Sequence, residues 1–406
     1  MKGKKIGILR EAKFPPDARV PLIPAQIEML KNKYPDVEIL VQPGKGRCFA
    51  NYEFEERGIL LQEDLSGCDI ILGVKEVPYD LLINDKTYLF FSHTIKKQSQ
   101  NKKLLQMLLH KNITMVDYEC LKNDKGDRVI AFGRWAGIIG AHNGLWTLGQ
   151  RLDEGHLKRA KDCRDYYELK YQYKGLSIPK VKIIVTGTGR VGKGAVEFFR
   201  EIKIKEVSKD EFLNYEFNEA VFCVLDSNDL YDRISDGGFD RSEFHHNPEL
   251  YKCTFTQYMN KCDVLINCIF WNPKAPQLFS KEDMRNSQWR IKVIADVSCD
   301  INGGVPATIR STTINEPVFG YDVNTESEIA PYIPESIDIM AIDNLPNELP
   351  RSASEEFGNL LINSVWEELF KPDSRMINDA TICSGGKLNE PFLYLSDYAE
   401  VGYELK

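Results

Sequence analysis

The tract VKIIVTGTGRVGKGAVEFF sets Gly187, Gly189 and Gly192 in a G-x-G-x-x-G spacing between an apolar run and a segment carrying Val191, Ala195, Phe198 and Phe199 at helical intervals. Glycine at these spacings permits a tight turn, close approach of a pyrophosphate, and close packing of helix on strand. The start of the helix adds amide donors and the positive end of its dipole. The spacing alone also occurs in turns that bind nothing. A strand before it and a helix after it point to a dinucleotide site, to which Arg190 and Val191 also belong. The acid that holds the ribose hydroxyls usually ends the next strand, about 20 residues on. Glu206 lies in that window, with Ser208 and Lys209 beside it that would tolerate a 2′-phosphate. Asp226, at the end of the following apolar run, is the second candidate. NAD and NADP both stay open.

A second set of residues sits where apolar runs end in the first third of the chain. Arg10, Lys13 and Arg19 follow the first run, Lys75 and Glu76 another, His93 and Lys96 the next, and Glu119 and Arg128 the last. Each alone is most often a solvated surface charge. In an open parallel sheet, however, ligands bind beyond the carboxyl ends of the strands, so convergence there predicts a site for an anionic substrate. Burial beside other cations would depress the pKa of Lys75 into the range useful for base catalysis. His93, after Tyr-Leu-Phe-Phe, is placed to transfer protons.

These residues need elements to hold them. Near-continuous apolar runs at 6–9, 37–41, 70–74, 88–91 and 113–116 predict strands buried on both faces, alternating with helical segments. A long Gly-rich apolar helix is expected around 132–152, then a charged, Tyr-rich surface excursion over 153–180. A second series has strands at 181–185, 204–207, 220–225, 263–266 and 292–295. Near the end, Ser352 and Glu355 suggest a capping box ahead of a stripe of Phe357, Leu360, Leu361 and Val365. The fold class is α/β, two Rossmann-like doubly wound parallel-sheet domains with a cleft between them. At 406 residues, two domains are the natural division. Hydrophobic content of 43% and charged content of 28% are ordinary globular values. A net charge of −8 argues against nucleic-acid binding. Ten cysteines without a Cys-x-x-Cys pair point to a reducing compartment and no metal site. No apolar stretch approaches the ~20 residues that span a bilayer, and MKGKKIGILREAK lacks the apolar core of a signal peptide. A cytoplasmic protein with no membrane partner is expected.

The segments LREAKFPPDARVPLIP, GVKEVP, FFSHTIK, DYECLKNDKGDRVIAFGRWAG, DVSCD and DNLPNELPRSASEEFG, in that order, resemble the lysine-forming saccharopine dehydrogenases, above all the lysine–2-oxoglutarate reductase portion of the bifunctional enzyme. The resemblance runs from Leu9 to about Leu361 and implies a fold related to alanine dehydrogenase. The substrate domain would comprise 1–135 with 318–406, around a dinucleotide-binding Rossmann domain at 136–317. It implies Lys75 and His93 as the acid–base pair, with Lys13, Arg19, Lys96, Glu119 and Arg128 lining the substrate crevice. Asp296 and Asp300 would flank the nicotinamide. The saccharopine-cleaving portion of the bifunctional enzyme is not expected in a sequence that stops at Lys406.

The implied reaction interconverts saccharopine with L-lysine and 2-oxoglutarate using NAD or NADP. An alanine dehydrogenase-like activity on a smaller substrate is the alternative within enzymes. A dinucleotide-binding sensor without activity is the alternative outside them.

Overall fold

A computed structural model describes residues 3–154 and 157–400. The chain forms two compact units, Met1–Ala131 with Pro350–Lys406, and Phe132–Leu349.

The first unit is built on β1 (Lys5–Ile8), β2 (Glu38–Val41), β3 (Leu60–Leu61), β4 (Ile70–Leu72), β5 (Thr87–Phe90) and β6 (Thr114–Asp117). All run parallel, in the order β6-β5-β4-β1-β2-β3. β4 is buried throughout, and β1, β2, β5 and β6 each expose at most their first residue fully or in part. This is the burial expected of strands covered by helices on both faces. Helices α1 (Pro24–Lys33), α2 (Asn51–Glu55) and α3 (Lys102–His110) are the crossovers. Parallel pairing turns every strand's carboxyl end to one edge, so the segments after β1, β4, β5 and β6 emerge side by side.

The second unit opens with α4 (Gly133–Leu152), buried along most of its length. After α5 (Tyr166–Tyr171) come β7 (Lys182–Thr186), α6 (Arg190–Glu201), β8 (Lys205–Glu206) and β9 (Val221–Leu225). A small hairpin of β10 (Tyr231–Arg233) and β11 (Tyr251–Cys253) follows, then β12 (Val264–Asn267), β13 (Val293–Asp296), β14 (Val318–Asp322), β15 (Ser327–Ile329) and β16 (Ile337–Met340). The sheet order is β15-β14-β16-β13-β12-β7-β9-β8, parallel except at β14 and β15. The glycines of α4 have a packing reason. A Cβ on Gly137 would lie 1.9 Å from the Val191 carbonyl oxygen, and one on Gly194 would lie 2.1 Å from that of Arg134. α4 and α6 therefore cross at backbone contact, which larger side chains would forbid.

Three expectations need correction. The chain does not return to the first unit at 318: β16 pairs with β13 and β14 with β16, so 318–349 completes the second sheet. The crossing is at Leu349–Pro350. The described part of 153–180 is no surface excursion. Leu157, Ala160, Cys163, Leu169 and Tyr173 are buried, and Arg159 forms a buried ion pair with Glu348, 2.6 Å. Finally, the helix Pro350–Ser364 starts before Ser352, so Ser352 cannot cap it; Ser354 instead accepts the Val20 amide at 2.9 Å. The last strands, β17 (Thr381–Ser384) and β18 (Lys387–Leu388), extend the first sheet beyond β6 by antiparallel pairing. All ten cysteines are free thiols.

Candidate functional site

In the first unit, four adjacent strand ends gather one cluster. Lys75 is half-buried just after β4. Burial, then the Arg19 and Lys13 charges, push its ammonium below the usual lysine value, only partly opposed by Glu76 and Asp17. Glu76 pairs with Lys13 at 3.0 Å and bonds Nδ1 of His93. Burial works to raise the Glu76 carboxyl, but the hydrogen bond and charge of His93, with Lys13, outweigh it and hold the group at about 2. An ionised Glu76 can only accept, so His93 carries its proton on Nδ1 and presents Nε2 for exchange.

His93 sits in the left-handed region, φ 53°, a conformation that costs a non-glycine residue about 1–2 kcal/mol. Its surroundings enforce that turn. The buried Asp117 carboxylate at the end of β6 accepts the Ser92 amide at 3.0 Å and the Ser92 hydroxyl, while its other oxygen accepts the Glu119 amide at 2.7 Å. One carboxylate thus sets the segments carrying both His93 and Glu119. Phe91 stacks on the imidazole, ring centroids 6.3 Å apart. Glu119 in turn meets Lys96 at 3.3 Å and Arg128 at 3.4 Å. The Arg128 guanidinium also donates to the Ile130 carbonyl and lies over the Phe91 ring.

The cluster is less cationic than the sequence reading supposes. Arg10 turns away to pair with Glu63 at 2.5 Å. Arg19 is 1% exposed, and its side chain donates to Asp17 at 2.9 and 2.5 Å. Lys13, Lys96 and Arg128 each have a carboxylate partner, with Lys96 and Arg128 sharing Glu119. Asp17 and Glu11 were missed in the sequence. Asp17 is two residues from Arg19, and only the fold shows that it turns back on it. Glu11 accepts the Val74 and Lys75 amides.

In the second unit the glycine loop has the form a dinucleotide needs. Gly187 has φ 90°, open to glycine and disfavoured for other residues. A Cβ on Gly192 would fall 1.8 Å from the Gly187 carbonyl oxygen, so the turn closes on itself only with glycine there. A Cβ on Gly189 would meet nothing within 4 Å. That residue caps α6 and has no side chain to accept the first amides, which leaves them for an anion. Arg190 begins α6 exposed, and Val191 is half-buried. A cavity of about 740 Å³ extends from here, bordered by Gly187, Thr188, Lys193, Glu206, Asp226 and Asp229. These residues fit a dinucleotide.

The candidate acids separate clearly. β9, not β8, is the hydrogen-bonded neighbour of β7, and Asp226 follows its last residue. Glu206 ends a two-residue edge strand and pairs with Arg200 at 2.7 Å. Ser208 caps the next helix and Lys209 pairs with Asp229 at 2.7 Å, so both are engaged within the protein. Asp296 is 1% exposed, and its oxygens accept from Asn267 at 2.8 Å, Ser298 at 2.7 Å and Thr308 at 2.6 Å. Through these contacts it braces the end of β13. Asp300 opens the following turn, its carbonyl accepting the Gly303 amide at 2.9 Å.

Comparison with known proteins agrees with this architecture. Residues 7–139 match "Alanine dehydrogenase/PNT, N-terminal domain" and residues 173–388 match "Alanine dehydrogenase/PNT, C-terminal domain". The chain belongs to the alanine dehydrogenase/PNT family. Among relatives of this family member, the mitochondrial alpha-aminoadipic semialdehyde synthase of Mus musculus is 32% identical over 95% of the chain but 46% of its own length. The chain thus spans about half of that relative. The saccharopine dehydrogenase [NAD(+), L-lysine-forming] of Emericella nidulans is 26% identical, covering 94% of the chain and 96% of the relative. An L-alanine dehydrogenase structure superimposes with a TM-score of 0.66 at 17% identity, over 97% of this chain and all of that one, and so shares the fold. No helix among the described residues is long and apolar enough to cross a membrane.

Proposed function

We propose that this alanine dehydrogenase/PNT family member is a nicotinamide-dinucleotide-dependent dehydrogenase that interconverts saccharopine with L-lysine and 2-oxoglutarate. The observation that carries the reading is the half-buried Lys75 on one strand end beside the Glu76–His93 pair. The relative named as an L-lysine-forming saccharopine dehydrogenase supports the choice of substrate. A dinucleotide bound with its pyrophosphate at Gly187, Gly189 and Gly192 would supply, through its nicotinamide, the acceptor or donor of hydride. The remaining work is proton transfer at one carbon–nitrogen bond: taking a proton from a secondary amine, activating water, and protonating the departing ε-amine. A lysine kept below its usual pKa can be neutral and take the first proton. The imidazole Nε2, backed by Glu76, can move the others. Arg128 and Lys96, both beside Glu119 at this edge of the sheet, are the cations that would meet substrate carboxylates.

Arg128→Ala is therefore expected to raise KM for saccharopine or 2-oxoglutarate roughly ten- to a hundred-fold, the size of one lost charged hydrogen bond, ~1.5–3 kcal/mol. Dinucleotide affinity should not move. Steady-state kinetics on both substrates checks this. Cofactor oxidation with lysine plus 2-oxoglutarate, against pyruvate plus ammonia, tests the assignment itself; faster turnover of the second pair replaces it with an alanine dehydrogenase activity. No turnover of either pair by protein that binds dinucleotide leaves the sensor reading.

Position at the end of the strand beside β7 supports Asp226 as the reader of the ribose hydroxyls, and NAD as the cofactor. Arg241, 3.3 Å from its carboxylate, is the group that would accept a 2′-phosphate once the acid is removed. Asp226→Ala should shift the ratio of kcat/KM values towards NADP by about tenfold or more, ~1.4 kcal/mol. A wild-type preference for NADP, or an unmoved ratio in the variant, ends this assignment.

A further inference from the structure

The segment that carries Lys75 leaves the sheet in an unusual way. The Gly73 amide still bonds the Leu89 carbonyl at 2.9 Å, and the Val74 carbonyl accepts the Phe91 amide at 3.0 Å. There the ladder with β5 ends. The next two donors, the amides of Val74 and Lys75, turn away and end on one side chain: Glu11 Oε1 takes Val74 at 2.7 Å and Oε2 takes Lys75 at 2.9 Å. Glu11 comes from the segment after β1, the neighbouring strand, whose Leu9 amide bonds Leu72.

We propose that Glu11 is a positioning residue for Lys75, its two carboxylate oxygens clamping consecutive amides so that the lysine leaves β4 in one fixed direction. The proposal rests on the role given to Lys75 above, and nothing in the sequence motif singles Glu11 out. Three features support it. A carboxylate is the side chain that can accept two adjacent amides at once with full charge assistance. Amides that have left a sheet need another acceptor, and here it is this group. The carboxylate also sits where holding it charged is unfavourable: burial, then the Asp17 charge, push its carboxyl up to about 7, against the pull of the two amides and Arg19. A group retained there despite that cost is consistent with one that is needed where it is. Asp17, Arg19, Lys75 and Tyr118 are the charged or titratable neighbours that share its surroundings.

The test reads Lys75 directly. Competitive acetylation of the folded, full chain with acetic anhydride across pH, followed by mass spectrometry, gives the titration midpoint of Lys75 against exposed Lys102 and Lys103. Glu11→Gln keeps size but offers one carbonyl and one NH2, which faces a backbone donor. The expected result is an upward shift of the Lys75 midpoint towards the two reference lysines, with kcat lowered about tenfold or more and dinucleotide KM unchanged. A folded E11Q chain whose Lys75 midpoint does not move, or falls as loss of the Glu11 charge alone would make it, overturns the proposal. Should E11Q fail to fold, E11D, which keeps the charge but is one methylene too short to reach both amides, is read by the same criterion. Labelling needs no turnover. A shifted midpoint in a protein inactive on saccharopine would leave the clamp standing and remove the reaction assignment.

Discussion

Lys75→Met is expected to lower turnover by about 10²–10³-fold while dinucleotide binding stays near normal, because general acid–base terms have that size and the glycine loop belongs to the other unit. Methionine keeps an unbranched apolar stem that ends where the lysine's Cε lies, and removes the ionisable nitrogen. The variant should fold at least as well as the wild type, and the sign can be worked out. The folded state lowers the Lys75 pKa, so the unfolded chain binds more protons between the folded value and 10.5. Stability contributed by this group therefore rises with pH across that window, and below it the buried ammonium is a net cost. Replacing it by a neutral side chain removes that cost at neutral pH. Steady-state kinetics, a fluorescence titration with dinucleotide, and thermal unfolding at pH 7 separate the outcomes. Unchanged turnover in a folded variant would make Lys75 a bystander and remove the acid–base scheme.

How far the site was legible in the sequence depends on the range of each contact. β1, β4, β5 and β6 were readable because a strand buried on both faces is an unbroken apolar run, and the residues after each run then share one sheet edge. That placed Lys75, Glu76, His93, Lys96, Glu119 and Arg128 on neighbouring strand ends. Three other carboxylates that shape this edge are not readable in the sequence. Asp17 folding back on Arg19, Glu63 drawing Arg10 away, and Glu11 reaching across to β4 are pairings that no spacing encodes. The same limit explains the choice between Glu206 and Asp226. Distance along the chain favours Glu206, whereas the deciding fact is which strand lies beside β7. β14 and β16 are not visible in the sequence since Val318–Asp322 and Ile337–Met340 follow irregular chain, and the pairing of β16 with β13 and of β14 with β16 appears only in the folded sheet. Tyr-rich, charged composition suggested a solvated 153–180. Yet Tyr173 packs between His142 and Phe198, and its hydroxyl bonds His142 Nδ1 at 3.0 Å.

Gly189→Val should leave a folded protein that no longer binds dinucleotide. The two halves of this expectation come from different neighbours. A Cβ at this position would meet nothing within 4 Å, and the residue's φ of −73° is one that valine adopts without strain, so the fold has little reason to fail. Capping offers little resistance either, since glycine contributes no side-chain acceptor to α6. What the valine would occupy is the space beside the first amides of α6, where a pyrophosphate must approach to within hydrogen-bond distance. Two γ-methyl groups there hold the phosphates off and cover the donors. Binding should become undetectable at about a hundred times the wild-type Kd, a loss of ~2.8 kcal/mol or more. Gly192→Ala makes the contrast. Its Cβ would lie 1.8 Å from a backbone oxygen, so the loop itself must shift, and the overpacking cost of ~1–3 kcal/mol should appear as a lower unfolding midpoint. Circular dichroism melts and isothermal titration with NAD and NADP on both variants give the comparison. Tight dinucleotide binding by a folded Gly189→Val protein would move the cofactor away from this loop, and with it the account of the second unit.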